Sequence, residues 1–184
     1  MPSPLDSFLP VYDAREHFQL LVRAPAGRTF DVAAAFDLRS PFLVRAIFRL
    51  REKLLGSRVT DQTPSHGFLE DMQALGWGVL AHDPGRLFIA GAHCQPWRAD
   101  VRFVALSPTT FGNYQEPGQV KIAWTLETVP MTGATCFLRT ETRACATDPV
   151  TRRRFRSYWR WARFGILPIR WLMLPAIRRQ VESA

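Results

Sequence analysis

The sequence predicts an α+β domain: one strand, two short helices, a run of antiparallel strands and a long C-terminal helix. Three observations carry this expectation. "QVKIAWTLETV" (119–129) and "CFLRTETRACA" (136–146) alternate in side-chain character with period two, as strands covered on one face do. "WGVLAHDPGRLFIAGAHC" (77–94) is two extended runs joined by Asp83-Pro84-Gly85-Arg86, whose turn chemistry marks a hairpin. After Pro149, Phe155, Trp159, Ala162, Ile166, Ile169, Met173 and Ile177 recur at steps of three and four, the core stripe of an amphipathic helix.

The remaining elements fall into order around these. Residues 1–14, with Pro2, Pro4 and Pro10, read as a loose lead-in. "REHFQLLVRA" (15–24) alternates as a strand, with Phe18, Leu20 and Val22 on one side. Pro25 suits the first turn of an Ala-rich helix, and Ser40-Pro41 opens a second helix that Gly56 can end. "FLEDMQALG" is a short helical turn, "PWRADVRFVALSP" is extended, and "TTFGNYQEPG" is a connection with room for a short helix. Thr147-Asp148-Pro149 caps and starts the last helix, expected to run to about Gln180.

Length and composition bound the function. With 184 residues and 47% hydrophobic content the chain forms a single domain with a substantial core. The net charge of +8 is not spread over it: residues 1–148 balance, and residues 149–184 hold nine arginines and one glutamate. Only two of the 24 basic residues are lysines, Lys53 and Lys121, which looks like the coding bias of a GC-rich genome. Three cysteines without paired spacing argue against a disulfide scaffold or zinc site, and the absence of a leader pattern makes a cytoplasmic location the expectation. "WARFGILPIRWLMLPAI" (161–177) holds two arginines and two prolines, a poor transmembrane span.

"RRRFRSYWRWARFG" (152–165) raises the question of nucleic acid most sharply, with six arginines and five aromatics. On a helical wheel Arg152, Arg156, Arg160, Arg163 and Arg170 leave the core stripe to the aromatics, so the run is a helix with an arginine-covered outer face. It has no polar base-reading face, and a specific nucleic-acid partner is not expected. Phe164, Leu167, Trp171 and Leu174 lie where the arginines would continue. That pattern leaves open a homodimer interface, a weak membrane-surface contact near Arg170, Arg178 and Arg179, or a helix bent at Pro168 and folded over its own protein.

Four segments, "VRAPAGRTFDVAAAFDL", "SPFLVRAIFRLR", "EPGQVKIAW" and above all "LRTETRACATDPVTRRRFRSYWR", resemble the START-related superfamily known as SRPBCC, in particular an uncharacterised bacterial branch. The likeness covers about residues 12–180. Where the branch often has a Gly-Arg-Phe-Trp-like run this chain reads "AHCQPWRAD", keeping only Trp97. The resemblance implies a helix-grip fold, a curved antiparallel sheet wrapped around the terminal helix, with a cavity between them.

Strand parity and wheel position then nominate the cavity wall: Ile122, Trp124, Leu126, Leu138, Thr140 and Thr142 from the sheet, Phe155, Trp159, Ala162 and Ile166 from the helix. Trp97, Tyr114 and Tyr158 are polar or aromatic candidates for the same cavity. Such a wall suits a lipid-like, terpenoid or aromatic small molecule, and no cofactor or metal is expected. The alternative is a cyclase, aromatase or dehydratase acting on a polyketide-like substrate, with His93 as proton acceptor and Tyr158 as a hydroxyl donor. The third reading is a peripheral membrane or partner-binding module using the terminal helix. Glu141, alternating with Arg139 and Arg143, is expected in a surface ion-pair row of little energetic weight.

Overall fold

Backbone pairing turns the alternating segments into one antiparallel sheet. The computed structural model describes residues 2–37, 67–98 and 100–183, excepting the side chains of 164–170. The strands are β1 (Ala14–Val22), β2 (Gly78–Asp83), β3 (Leu87–Cys94), β4 (Val104–Ala105), β5 (Val120–Thr132) and β6 (Thr135–Ala146). The sheet order is β1-β6-β5-β3-β2, with β4 also paired to β3. Helices α1 (Ala26–Ala34) and α2 (Phe68–Ala74) follow β1, α3 (Pro108–Phe111) precedes β5, and α4 (Pro149–Ser183) closes the chain. This is the expected α+β helix-grip architecture. The second helix expected over 40–56 lies outside the described residues.

The register fixes which side chains share a face. Phe18, Thr140, Leu126 and Phe88 form one cross-strand row, and Glu16, Thr142, Trp124 and Ala90 the next. These rows meet the helices. Val22, Phe30, Trp124, Leu138, Met173 and Ile177 belong to one buried cluster there, which closes the end of the fold nearest the C-terminus of α4. The opposite end is held by Phe155, fully buried against Ala14, Val120 and Ala144.

The outer face of the sheet is covered too, and the sequence reading did not anticipate this. Ser3 caps a 3-10 turn over Pro4–Ser7, its Oγ accepting from Leu5 N at 3.2 Å while Asp6 Oδ2 accepts from Ser3 N at 2.8 Å. The turn drives Leu5 and Leu9 onto Leu80, Ile89, Phe111 and Ala123. Residues expected as a loose lead-in therefore pack as a strap, because two leucines find an apolar strip on the outer side of β2, β3 and β5. Gly91 admits that contact: a Cβ built there would lie 2.5 Å from Leu80 Cδ1 and 2.7 Å from the Phe111 ring. A second glycine is fixed by its backbone. Gly76 has φ +97°, and a Cβ would stand 2.2 Å from the carbonyl oxygen of Phe103.

Asp148 starts α4. Its Oδ1 accepts from the amides of Val150 and Thr151, both at 2.9 Å, and its Oδ2 from Gly118 N at 2.8 Å. The Gly118 amide, the Thr151 hydroxyl and the first-turn amides hold its carboxyl down at about 2. Asp13, nearly buried, ties the first turns to the sheet: it accepts from Ala146 N at 3.0 Å and lies 2.9 Å from Arg152 Nε. The helix then runs through Pro168 and Pro175 to Ser183 without a break.

Candidate functional site between the sheet and the terminal helix

Among the described residues the inner face holds two buried clusters, with partly buried side chains between them. The two inner clusters do not merge. At their junction Glu16, Phe18, Ile122 and Thr142 on the sheet, and Trp159 and Ala162 on the helix, keep part of their surface uncovered. Apolar surface left half-covered beneath a helix is what a small-molecule site requires. Glu16 puts a carboxylate at the rim, at the register position beside Thr142.

The expected cavity residues separate into three groups. Ile122, Trp97, Tyr158 and Trp159 pack against the cluster around Phe155, whose ring centroid lies 5.8 Å from that of Trp159, and Thr142 and Ala162 are partly buried. Trp124, Leu126 and Leu138 are on the expected face but spent in the core, at 6%, 1% and 0% exposure. Thr140 is buried as well, and its hydroxyl donates to Thr125 O at 2.7 Å, so the fold itself uses it. Ile166, Phe164 and Leu167 have side chains outside those described.

His93 and Tyr114 fall on the other side of the sheet, which corrects the expected place of Tyr114 in the cavity. His93 pairs with Lys121 and shares parity with Ile89 and Gly91, the residues beneath the strap. Tyr114 stacks on its ring at 4.4 Å, with the phenol oxygen 3.0 Å from Nδ1. Gln119 Oε1 lies 3.2 Å from the same nitrogen, and the Tyr114 hydroxyl donates to Glu116 at 2.8 Å. The Tyr114 hydroxyl is committed to Glu116, and its oxygen and Gln119 Oε1 both lie within hydrogen-bond distance of Nδ1. Partial burial and Glu116 push the Tyr114 phenol upward, so it stays protonated. Beside His93 lies an open depression of about 260 Å³ bordered by Gln95, Arg98, Asp100, Arg102 and Gln119. The register places His93 on the opposite face from Ile122 and Thr142.

The ion-pair row was expected on the outer face and is there, but buried. Glu141 and Arg143 are each 3% exposed. Glu141 Oε1 accepts from Arg15 Nε at 2.9 Å and Arg143 Nε at 2.7 Å, while Arg143 reaches Asp6 Oδ1 at 2.7 Å and Leu9 O at 2.9 Å. Burial alone would raise the Glu141 carboxyl; the guanidinium hydrogen bonds outweigh it and hold it below its usual range. This network is the polar half of the strap's attachment.

On α4 the exposure pattern differs from expectation at two residues. Leu174 is 3% exposed and belongs to the core, not to an outward apolar patch. Trp161, which the sequence reading did not single out, is 75% exposed, and Trp171 is 66% exposed. No helix of the described residues is long and apolar enough to cross a membrane.

No family model and no curated protein matches the chain. Among solved structures it is similar to norcoclaurine synthase of Thalictrum flavum. A point mutant in complex with a transition-state analogue aligns at TM-score 0.44 and 16% identity, over 92% of this chain and 94% of that one. The same enzyme in complex with dopamine and hydroxybenzaldehyde aligns at TM-score 0.39 and 16% identity, over 92% and 87%. A Thermobifida fusca protein solved by NMR aligns at 0.33 and 13%, over 92% and 93%. The fold assignment rests on the strand order and register of the chain itself.

Proposed function

We infer that the chain binds a hydrophobic or amphipathic small molecule, of lipid, terpenoid or aromatic class, at the junction between the sheet and α4. One observation carries the inference: the inner face is split into two closed clusters, and the side chains between them remain partly uncovered. A domain of this size ordinarily closes its inner face; leaving Ile122 and Trp159 half-covered forgoes burial worth on the order of 25 cal/mol per Å², which a ligand can recover. Apolar contact from Ile122, Phe18 and Trp159 would supply affinity, and the Thr142 hydroxyl and Glu16 carboxylate orientation at the rim.

The test is saturable binding of anilinonaphthalene sulfonate to the native protein, compared with Thr142→Trp, which fills the junction. The expected result is one site of binding that weakens at least about tenfold in the variant, with circular dichroism and thermal midpoint retained. Equal binding by a folded Thr142→Trp variant would remove the junction as the site. Mass spectrometry of an organic extract of the purified protein identifies any natural occupant.

A further inference from the structure

The outer face of α4 presents a second binding surface. Taking about 100° per residue, Arg153, Arg160, Trp161, Trp171, Arg178 and Arg179 fall within an arc of about 100°. The buried residues Phe155, Met173, Ile177 and Val181 occupy the opposite side. All six residues of the arc are exposed, and the two indoles are among the most exposed large apolar side chains of the protein. The acid near this arc, Glu182, is engaged: it accepts from Arg23 N at 2.9 Å and lies 3.9 Å from Arg178.

We propose that this face lies flat on a bilayer surface containing anionic lipid, with Trp161 and Trp171 seated at headgroup level and the flanking arginines against the phosphates. Charge selects the occupant. The whole excess of +8 sits on the segment that forms this helix, so an acidic surface is its complement. Shape and chemistry select a bilayer: the two indoles are separated by about 15 Å along one unbroken helix and lie within the same exposed arc. Indole, with an apolar body and a polar N–H, is the side chain that membrane interfaces favour. A helix of about 50 Å, too polar to span and apolar along one interrupted line, matches an in-plane amphipathic element. The proposal stands whether or not the junction holds a ligand.

Co-sedimentation of the full chain with phosphatidylcholine–phosphatidylglycerol vesicles and with pure phosphatidylcholine vesicles tests it. The expected result is binding to the anionic vesicles only, weakened by added salt, with a blue shift of tryptophan emission. The Trp161→Ala/Trp171→Ala variant should bind at least about tenfold more weakly, since two aromatic side chains no longer leave water. Both residues are exposed, so the variant's circular dichroism should match the wild type; Arg153→Gln/Arg160→Gln provides a second, charge-based loss that does not touch the indoles. No binding to anionic vesicles overturns the proposal, as does equal binding to both vesicle types or full binding by both variants. Tryptophan-dependent binding of a single-stranded oligonucleotide without vesicle binding, or tryptophan-dependent dimerisation in its place, also overturns it.

Discussion

Arg143 stands on the outer face with Arg139 and Glu141 and is buried there by Asp6 and Leu9 of the N-terminal strap. Removing Arg143 leaves Glu141 still paired with Arg15 and Asp6 half exposed to water, so the cost is that of the lost charge-assisted hydrogen bonds and of the uncovered Leu9 carbonyl. Arg143→Ala should cost about 1–3 kcal/mol in urea unfolding; no measurable loss would show that the pair is solvated in solution. The same network sets a pH dependence. A carboxylate whose folded pKa is depressed contributes stability that is present above its unfolded pKa, about 4.3 for Glu, and lost as pH falls through the folded value. Glu141 contributes in that sense, and Asp148, held at about 2, adds a loss between about pH 4 and pH 2. Stability measured against pH should therefore fall steeply on the acid side, and Asp148→Asn should flatten its lower part.

Elements were legible where one face differs from the other. In β5 and β6 the inner and outer faces carry different residues, and their parity is right at every inner position. In β3 no face can be assigned from sequence, because "LFIAGAHC" is buried on both sides and its alternation carries no sign. The register alone places His93, the candidate proton acceptor, on the outer face. The packing over β3 makes a prediction of its own. Gly91→Ala should destabilise by about 1–3 kcal/mol through clashes with the Leu80 side chain and the Phe111 ring of α3. Adding Phe111→Leu, which removes the ring from that contact, should recover part of the loss in a double-mutant cycle; strict additivity would mean that Phe111 does not press on β3 at Gly91. On α4 the stripe of three-and-four steps located Phe155, Met173 and Ile177 correctly. It misplaced Leu174, which adjoins Met173 and is taken into the same buried cluster, and it passed over Trp161, whose neighbours Tyr158 and Trp159 made the whole aromatic run look interior.

At the scale of the molecule, the sheet wraps one rod and seals its two ends by different means. Near the N-terminus of α4 the seal is Phe155 with the Asp13 and Asp148 contacts; near its C-terminus it is Met173, Leu174 and Ile177 against Trp124 and Leu138. The partly buried stretch between is a property of neither end and could be named from sequence only as a cavity implied by family likeness. Its residues follow from where the two clusters stop. Entry of an apolar ligand there is followed by NMR chemical-shift mapping during titration with anilinonaphthalene sulfonate. Saturable shifts are expected at the Ile122 methyls, Thr142 and the Trp159 indole N–H, with His93 and Tyr114 unmoved on the outer face. Shifts centred on His93 and the depression beside it, with Ile122 and Trp159 silent, would overturn the proposed site.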